Sequence, residues 1–169
     1  MHFGRSKQLL LQNSERIRLL VQGVSAEQAQ WKPAPNSWSI LEVVNHLLDE
    51  EREDFRVRLD IILHEPDRKL PPIDPERWVV ERKYNDRDLE ESLELFLSER
   101  QASFEWLETI GEPEWEASYQ MPFGSIRAGD MFASWVAHDL LHMRQLVELH
   151  RAYVLKLVAP YEVAYAGPW

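Results

Sequence analysis

Residues 39–64 read SILEVVNHLLDEEREDFRVRLDIILH, and their spacing decides the fold. Ile40, Val43, Val44, Leu47, Leu48, Phe55, Leu59, Ile62 and Leu63 recur every three or four residues, the period of one buried helix face. Ser39 followed three residues later by Glu42 is a capping box, so a helix starts at Ser39 and runs to about His64, roughly seven turns. Working outward, Arg5 to Gly23 carries Leu9, Leu10, Ile17, Leu20 and Val21 as a second apolar stripe with a glycine stop. Asp88 caps a third helix whose Leu89, Leu93, Phe96, Leu97, Phe104, Leu107 and Ile110 continue to Gly111. Asp130 is read as the cap of a fourth, running to about Lys156, in which Met131, Trp135, His138, His142, Leu146 and Leu149 share a face.

The segments between are punctuated. Ser25 to Gln28 offers one capped turn before Trp31-Lys-Pro-Ala-Pro35 breaks any helix. Residues 65–85 hold Pro66, Pro71, Pro72 and Pro75, too much proline for regular structure, and are expected to form an ordered, packed crossover. Pro113 to Gly129 reads as turns, with poor strand signals. Four amphipathic helices with little strand character predict an all-α four-helix bundle, one domain over residues 1–169, with an aromatic tail from about 157 to 169 (Tyr161, Val163, Tyr165, Trp169). That tail has enough aromatic surface to dock on the bundle or on another subunit.

The 169 residues are 44% hydrophobic and contain no cysteine. Disulfide scaffolds, thiolate metal sites, iron–sulfur clusters and cysteine nucleophiles are thereby excluded, and a reducing cytoplasm is the expected compartment. Nineteen basic against 29 acidic side chains leave a formal charge of −10, which repels nucleic acid and anionic lipid. Neither a signal-like start nor a membrane-length apolar run is evident, and a soluble protein acting on a small molecule is expected.

The chemistry concentrates on His138-Asp-Leu-Leu-His142. Two imidazoles four residues apart on a helix are offset by about 40°, so both can aim at one point inside the bundle. His46 lies on the buried stripe of the 39–64 helix beside Val43 and Leu47. Three neutral imidazoles would leave coordination positions open on a metal ion; the alternative is three core histidines bonded to carbonyls or water. Asp139 stands where a His-Glu-x-x-His metallopeptidase has its glutamate, and no Glu-x-x-His pair of a di-iron bundle occurs. Glu50, one turn beyond His46, is a candidate to orient that ring, accept a proton or become a ligand. Asp49, Glu51, Glu53 and Asp54 read as solvated surface charges. Of the seven tryptophans, Trp31, Trp38 and Trp135 read as packing anchors. Trp78 and Tyr84 in the crossover, with Phe123 in a Met121-Pro-Phe-Gly124 turn or lid, are the residues expected to line a substrate pocket.

Trp31-Lys-Pro, Trp38-Ser-Ile-Leu-Glu-Val-Val-Asn-His46, Pro122-Phe-Gly and His138-Asp-Leu-Leu-His142-Met-Arg-Gln, in that order, resemble the DinB-like superfamily that includes the YfiT-type metal-dependent proteins. The resemblance spans about residues 5–155. It implies an up-down-down-up bundle with a long crossover between the second and third helices, and a divalent ion, zinc or nickel foremost, held by His46, His138 and His142. It also implies a homodimer. Characterised relatives of that kind include S-transferases and isomerases using bacillithiol, mycothiol or similar low-molecular-weight thiols, and others are described as hydrolases. The expected function is therefore a metal-dependent enzyme that activates a small thiol or water against a small electrophile, S-transferase-like in the first instance. The alternatives are a metal-dependent hydrolase and a non-catalytic metal or small-molecule binding stress-response protein.

Overall fold

The computed structural model describes residues 2–122 and 124–169. Its elements are α1 (Phe3–Val21), α2 (Ala26–Gln30), α3 (Ile40–Asp49), a π-helical turn (Glu50–Asp54), α4 (Phe55–His64), α5 (Pro75–Glu81), α6 (Leu89–Thr109), strands β1 (Ser118–Met121) and β2 (Gly124–Arg127), and α7 (Ala128–Val158), with 3₁₀ turns at Tyr84–Asp86 and Ala164–Ala166. The main start signals act as the sequence predicts. Ser39 Oγ accepts from the Glu42 amide (3.1 Å) while Glu42 Oε2 accepts from the Ser39 amide (2.9 Å), and Asp88 Oδ1 accepts from the Glu91 amide (2.9 Å).

Four long rods form the bundle: α1, the run from α3 through the π turn to α4, α6 and α7. Lys7 meets Glu108 and Leu10 meets Arg100, so α1 and α6 are antiparallel. Asn45 meets Ser92 and Arg52 meets Glu99, so α3 and α6 run the same way. Asn13 meets Asp139 and Leu20 meets His150, making α1 and α7 parallel as well. This is the up-down-down-up order. Parallel neighbours oblige the chain to return the length of a 25-residue rod, about 37 Å, which is why residues 65–88 are long.

Four expectations change. The 39–64 helix is not uniform: its middle opens into a π turn, one residue wider than α winding. The crossover is more regular than its prolines suggest, because Pro75 takes the first position of α5, where no amide hydrogen is needed, and Asp74 caps it (3.1 Å to the Arg77 amide). The Pro113–Gly129 stretch contains a hairpin, Ser118 opposite Arg127 through Met121 opposite Gly124, whose Tyr119 and Ile126 pack on the bundle. Its four-residue strands were too short for alternation to register. Asp130 is also not the cap of α7 but its third residue, accepting from the Arg127 amide at 3.3 Å, so the cap falls three residues earlier, at Arg127.

The core has two apolar halves. One holds Ile17, Val21, Ile40, Val43, Val44, Leu47, Leu48, Phe96, Met143, Leu146 and Leu149; the other Leu10, Phe55, Leu59, Ile62, Leu107, Met131, Phe132 and Trp135. Between them, at mid-height on all four rods, lies a buried polar belt: Asn13 and Ser14, His46 and Asp49 to Glu51, Arg100 and Ser103, Asp139 and His142. Among the described residues no helix is long and apolar enough to cross a membrane.

Candidate metal centre

The belt contains the histidines singled out by spacing. α3 brings His46, and α7 brings His138 and His142 on successive turns. His46 Nε2 is 3.4 Å from His138 Nε2, and His142 Nε2 is 3.1 Å from the same atom. One nitrogen from each ring lies within 4.8 Å of the other two. Neutral imidazoles crowded in this way can satisfy one another only in part, because each pair needs one donor and one acceptor. A cation at their common point would engage all three lone pairs.

Protonation is set against charge on the rings. Burial, then the charges of His142 and His138, lowers the His46 pKa to about 2. Burial, then His142 and Arg100, lowers that of His138 to about 3. His142 is lowered by burial, against the raising effects of Gln145 and Asp139. All three are therefore neutral near pH 7, the form that ligates metals. Gln145 Oε1 lies 2.8 Å from His142 Nδ1; a carboxamide oxygen only accepts, so Nδ1 is assigned the hydrogen and Nε2 keeps its lone pair for the cluster. The donor set, its convergence and its neutrality fit a divalent ion.

Glu50 stands behind His46. Its Oε1 is 3.8 Å from His46 Nδ1, and neither atom has a hydrogen-bond partner among the described residues. Burial, then the adjacent Asp54, pushes its pKa up to about 9, so Glu50 keeps its proton at neutral pH. Asp49, Glu51 and Asp54, read as solvated charges, are buried instead. Asp54 pairs with Arg58 one turn on, while the other two have partners that local spacing cannot reveal: Asp49 accepts from the Tyr84 hydroxyl and from Arg82 (2.6 Å), and Glu51 meets Arg100 and Trp135. Only Glu53 stays near the surface, gripped by Arg82.

The aromatic residues stand as follows around the cluster and the crossover. Trp78 and Tyr84 fasten the crossover to α3: Tyr84 is fully buried with its hydroxyl on Asp49, Arg82 covers the Trp78 ring at 4.1 Å, and neither borders the cavity beside His142. Phe123 lies outside the described residues. Trp38, expected to be an anchor only, stands 4.9 Å from His46 and parallel to His142 at 6.3 Å. With Pro33, Ser37, His142, Gln145 and Leu149 it lines a cavity of about 670 Å³, within the range of small-molecule pockets. The available signal was its place immediately before the Ser39 cap, where an apolar residue folds back on the first helical turn. Phe55, outside that lining, packs against the His138 ring at 5.0 Å.

Residues 9–146 match the profile of the DinB superfamily, and the chain belongs to that superfamily. Among solved structures it is similar to YfiT from Bacillus subtilis, described as a probable metal-dependent hydrolase with an unusual four-helix bundle topology. The TM-score is 0.78 at 20% sequence identity, covering 88% of this chain and 86% of YfiT. That likeness carries the fold, including the parallel pairs and the long crossover. Comparison with curated proteins returned no match.

Proposed function

We propose that this protein is a metal-dependent enzyme in which His46, His138 and His142 hold a divalent ion, zinc or nickel, and which acts hydrolytically on a small molecule admitted beside Trp38. The convergence of three neutral imidazole nitrogens within 4.8 Å carries the reading, and the likeness to YfiT supports it. The ion would supply Lewis acidity, lowering the pKa of a coordinated nucleophile and polarising the substrate. The chain's own residues hold the site. Gln145 fixes the His142 tautomer, Glu50 stands at the rear nitrogen of His46, and Trp38 and Phe55 exclude water from two sides.

Transfer of a low-molecular-weight thiol to an electrophile is the second reading of the same site. The chain has no cysteine, so an incoming thiol meets no internal competitor for the ion. Assembly as a homodimer belongs to the same proposal, supported by exposed Leu140, Val147 and Val154 repeating every seven residues along α7; sedimentation equilibrium tests it, and a monomer at micromolar concentration would refute it.

The deciding measurement is elemental analysis of untagged protein beside His138→Ala. One equivalent of zinc or nickel in the parent, lost in the variant, is the expected result; no metal, and no uptake by the apoprotein, would return the cluster to the core. Turnover of ester and amide panels with and without added thiol then separates the two nucleophiles.

A further inference from the structure

One group of buried charges beside the cluster has no part in the chemistry above. Arg100, on α6, is 1% exposed, and each of its three guanidinium nitrogens has a partner. Nε donates to Glu51 Oε1 (2.8 Å), Nη2 donates to Asp139 Oδ1 (2.8 Å) and lies 2.6 Å from Glu51 Oε1, and Nη1 donates to Asp139 Oδ2 (2.8 Å) and to the Leu10 carbonyl (2.9 Å). The carboxylates are completed by Asn13 Nδ2 on Asp139 (3.1 Å), and by Ser103 Oγ (2.7 Å) and Trp135 Nε1 (2.8 Å) on Glu51. Every rod of the bundle contributes.

We propose that Arg100, with Glu51 and Asp139, is the positioning centre of the three-histidine cluster, an inference that rests on the metal reading above. Asp139 follows His138 directly in α7, and Glu51 follows Glu50 in the π turn, five residues after His46. The two-pronged grip of Arg100 on Asp139 fixes orientation as well as distance, so it sets the rotation of α7 about its own axis. The same guanidinium holds the π turn, and thereby the rod that carries His46. Within the π turn Glu50 faces His46 at 3.8 Å without a hydrogen bond, and Glu51 bonds Arg100.

Stability does not account for this network. Buried ionic triads are commonly matched or exceeded in stability by apolar residues of the same volume, and apolar packing is what lies above and below the belt. What the triad adds is register and charge. Its charges reach the cluster in both directions: Arg100 opposes positive charge at His138, and Asp139 favours it at His142.

The test begins with zinc titration of the wild-type apoprotein against a competing chelator, and with the visible spectrum of its cobalt(II) form. No uptake by wild type would sink the metal reading, and this inference with it, before any triad variant is made. With binding established, two variants are compared: Glu51→Leu/Arg100→Met/Asp139→Leu, which replaces the triad by apolar side chains, and Asp139→Asn, which keeps the shape. The triple variant is expected to keep a cooperative melt while zinc affinity falls ten- to a hundredfold and the cobalt band changes in intensity. Asp139→Asn is expected to lose about tenfold. A merely structural triad would move the melting temperature and leave zinc affinity and the cobalt spectrum of the folded variants at wild-type values, and that result overturns the proposal. Should the triple variant fail to fold, zinc affinity of Asp139→Asn decides alone.

Discussion

At the scale of single residues, burial controls protonation, and this gives the metal-free protein a peculiar pH profile. His46 and His138 exclude protons in the folded state, with pKa values near 2 and 3 against an ordinary 6.5. Below pH 6.5 the unfolded chain takes up protons that the folded chain refuses, so this stability is complete above about 6.5 and is lost as the pH falls. Glu50 acts in the opposite sense. Its folded pKa near 9 against 4.5 means that its contribution is complete below 4.5 and is lost as the pH rises towards 9. Between 4.5 and 6.5 two or more histidines outweigh one carboxyl, so urea melts of the apoprotein should give greatest stability near pH 6.5; a plateau from 6.5 to 9 would refute the Glu50 assignment. Replacing His142 with Ala should abolish turnover and metal uptake while circular dichroism stays helical. Trp135→Phe removes a donor from Glu51 together with part of a fully buried ring, and should cost at least about 1–3 kcal/mol in urea melts.

At the scale of elements, the sequence made some pieces plain and hid others for identifiable reasons. Ser39 and Asp88 were legible as caps because each has a capping partner three residues away; the further bond from Ser39 Oγ to Asn85 Oδ1 (2.6 Å) lies 46 residues off and left no local mark. Removing the Ser39 hydroxyl in Ser39→Ala should cost about 1 kcal/mol, or roughly 2–4 °C in melting temperature. His138 and His142 were legible because helical spacing alone puts them together, and His46 because it sits on an apolar stripe. The polar belt was not legible as a belt. Glu51 and Asp49 look like surface charges until Arg100, 49 residues on from Glu51, and Tyr84 and Arg82 are placed against them. The π turn was hidden for the same reason, since the residues that justify its winding are charged and leave no mark on the apolar pattern. Deleting Glu53, a surface residue in that turn, should restore plain α winding with both flanks in place; helicity is expected to survive while zinc affinity drops, which isothermal titration would record.

At the scale of the whole molecule, a metal that binds only the folded state adds its binding free energy to stability. Zinc at a thousandfold excess over its dissociation constant is worth about 4 kcal/mol, a rise of roughly 8–16 °C for a chain of this size. Scanning calorimetry with and without chelator measures it, and an unchanged melting temperature would count against occupation of the cluster. The parallel pairing of α1 with α7 has a consequence of another kind. Phe3 packs beside Phe132 near the start of α7, whereas Val158 ends that helix, so the two positions stand at opposite poles, about 40 Å apart. Fluorophores attached at the two poles would serve as a ruler along the bundle axis, with the histidine cluster between them.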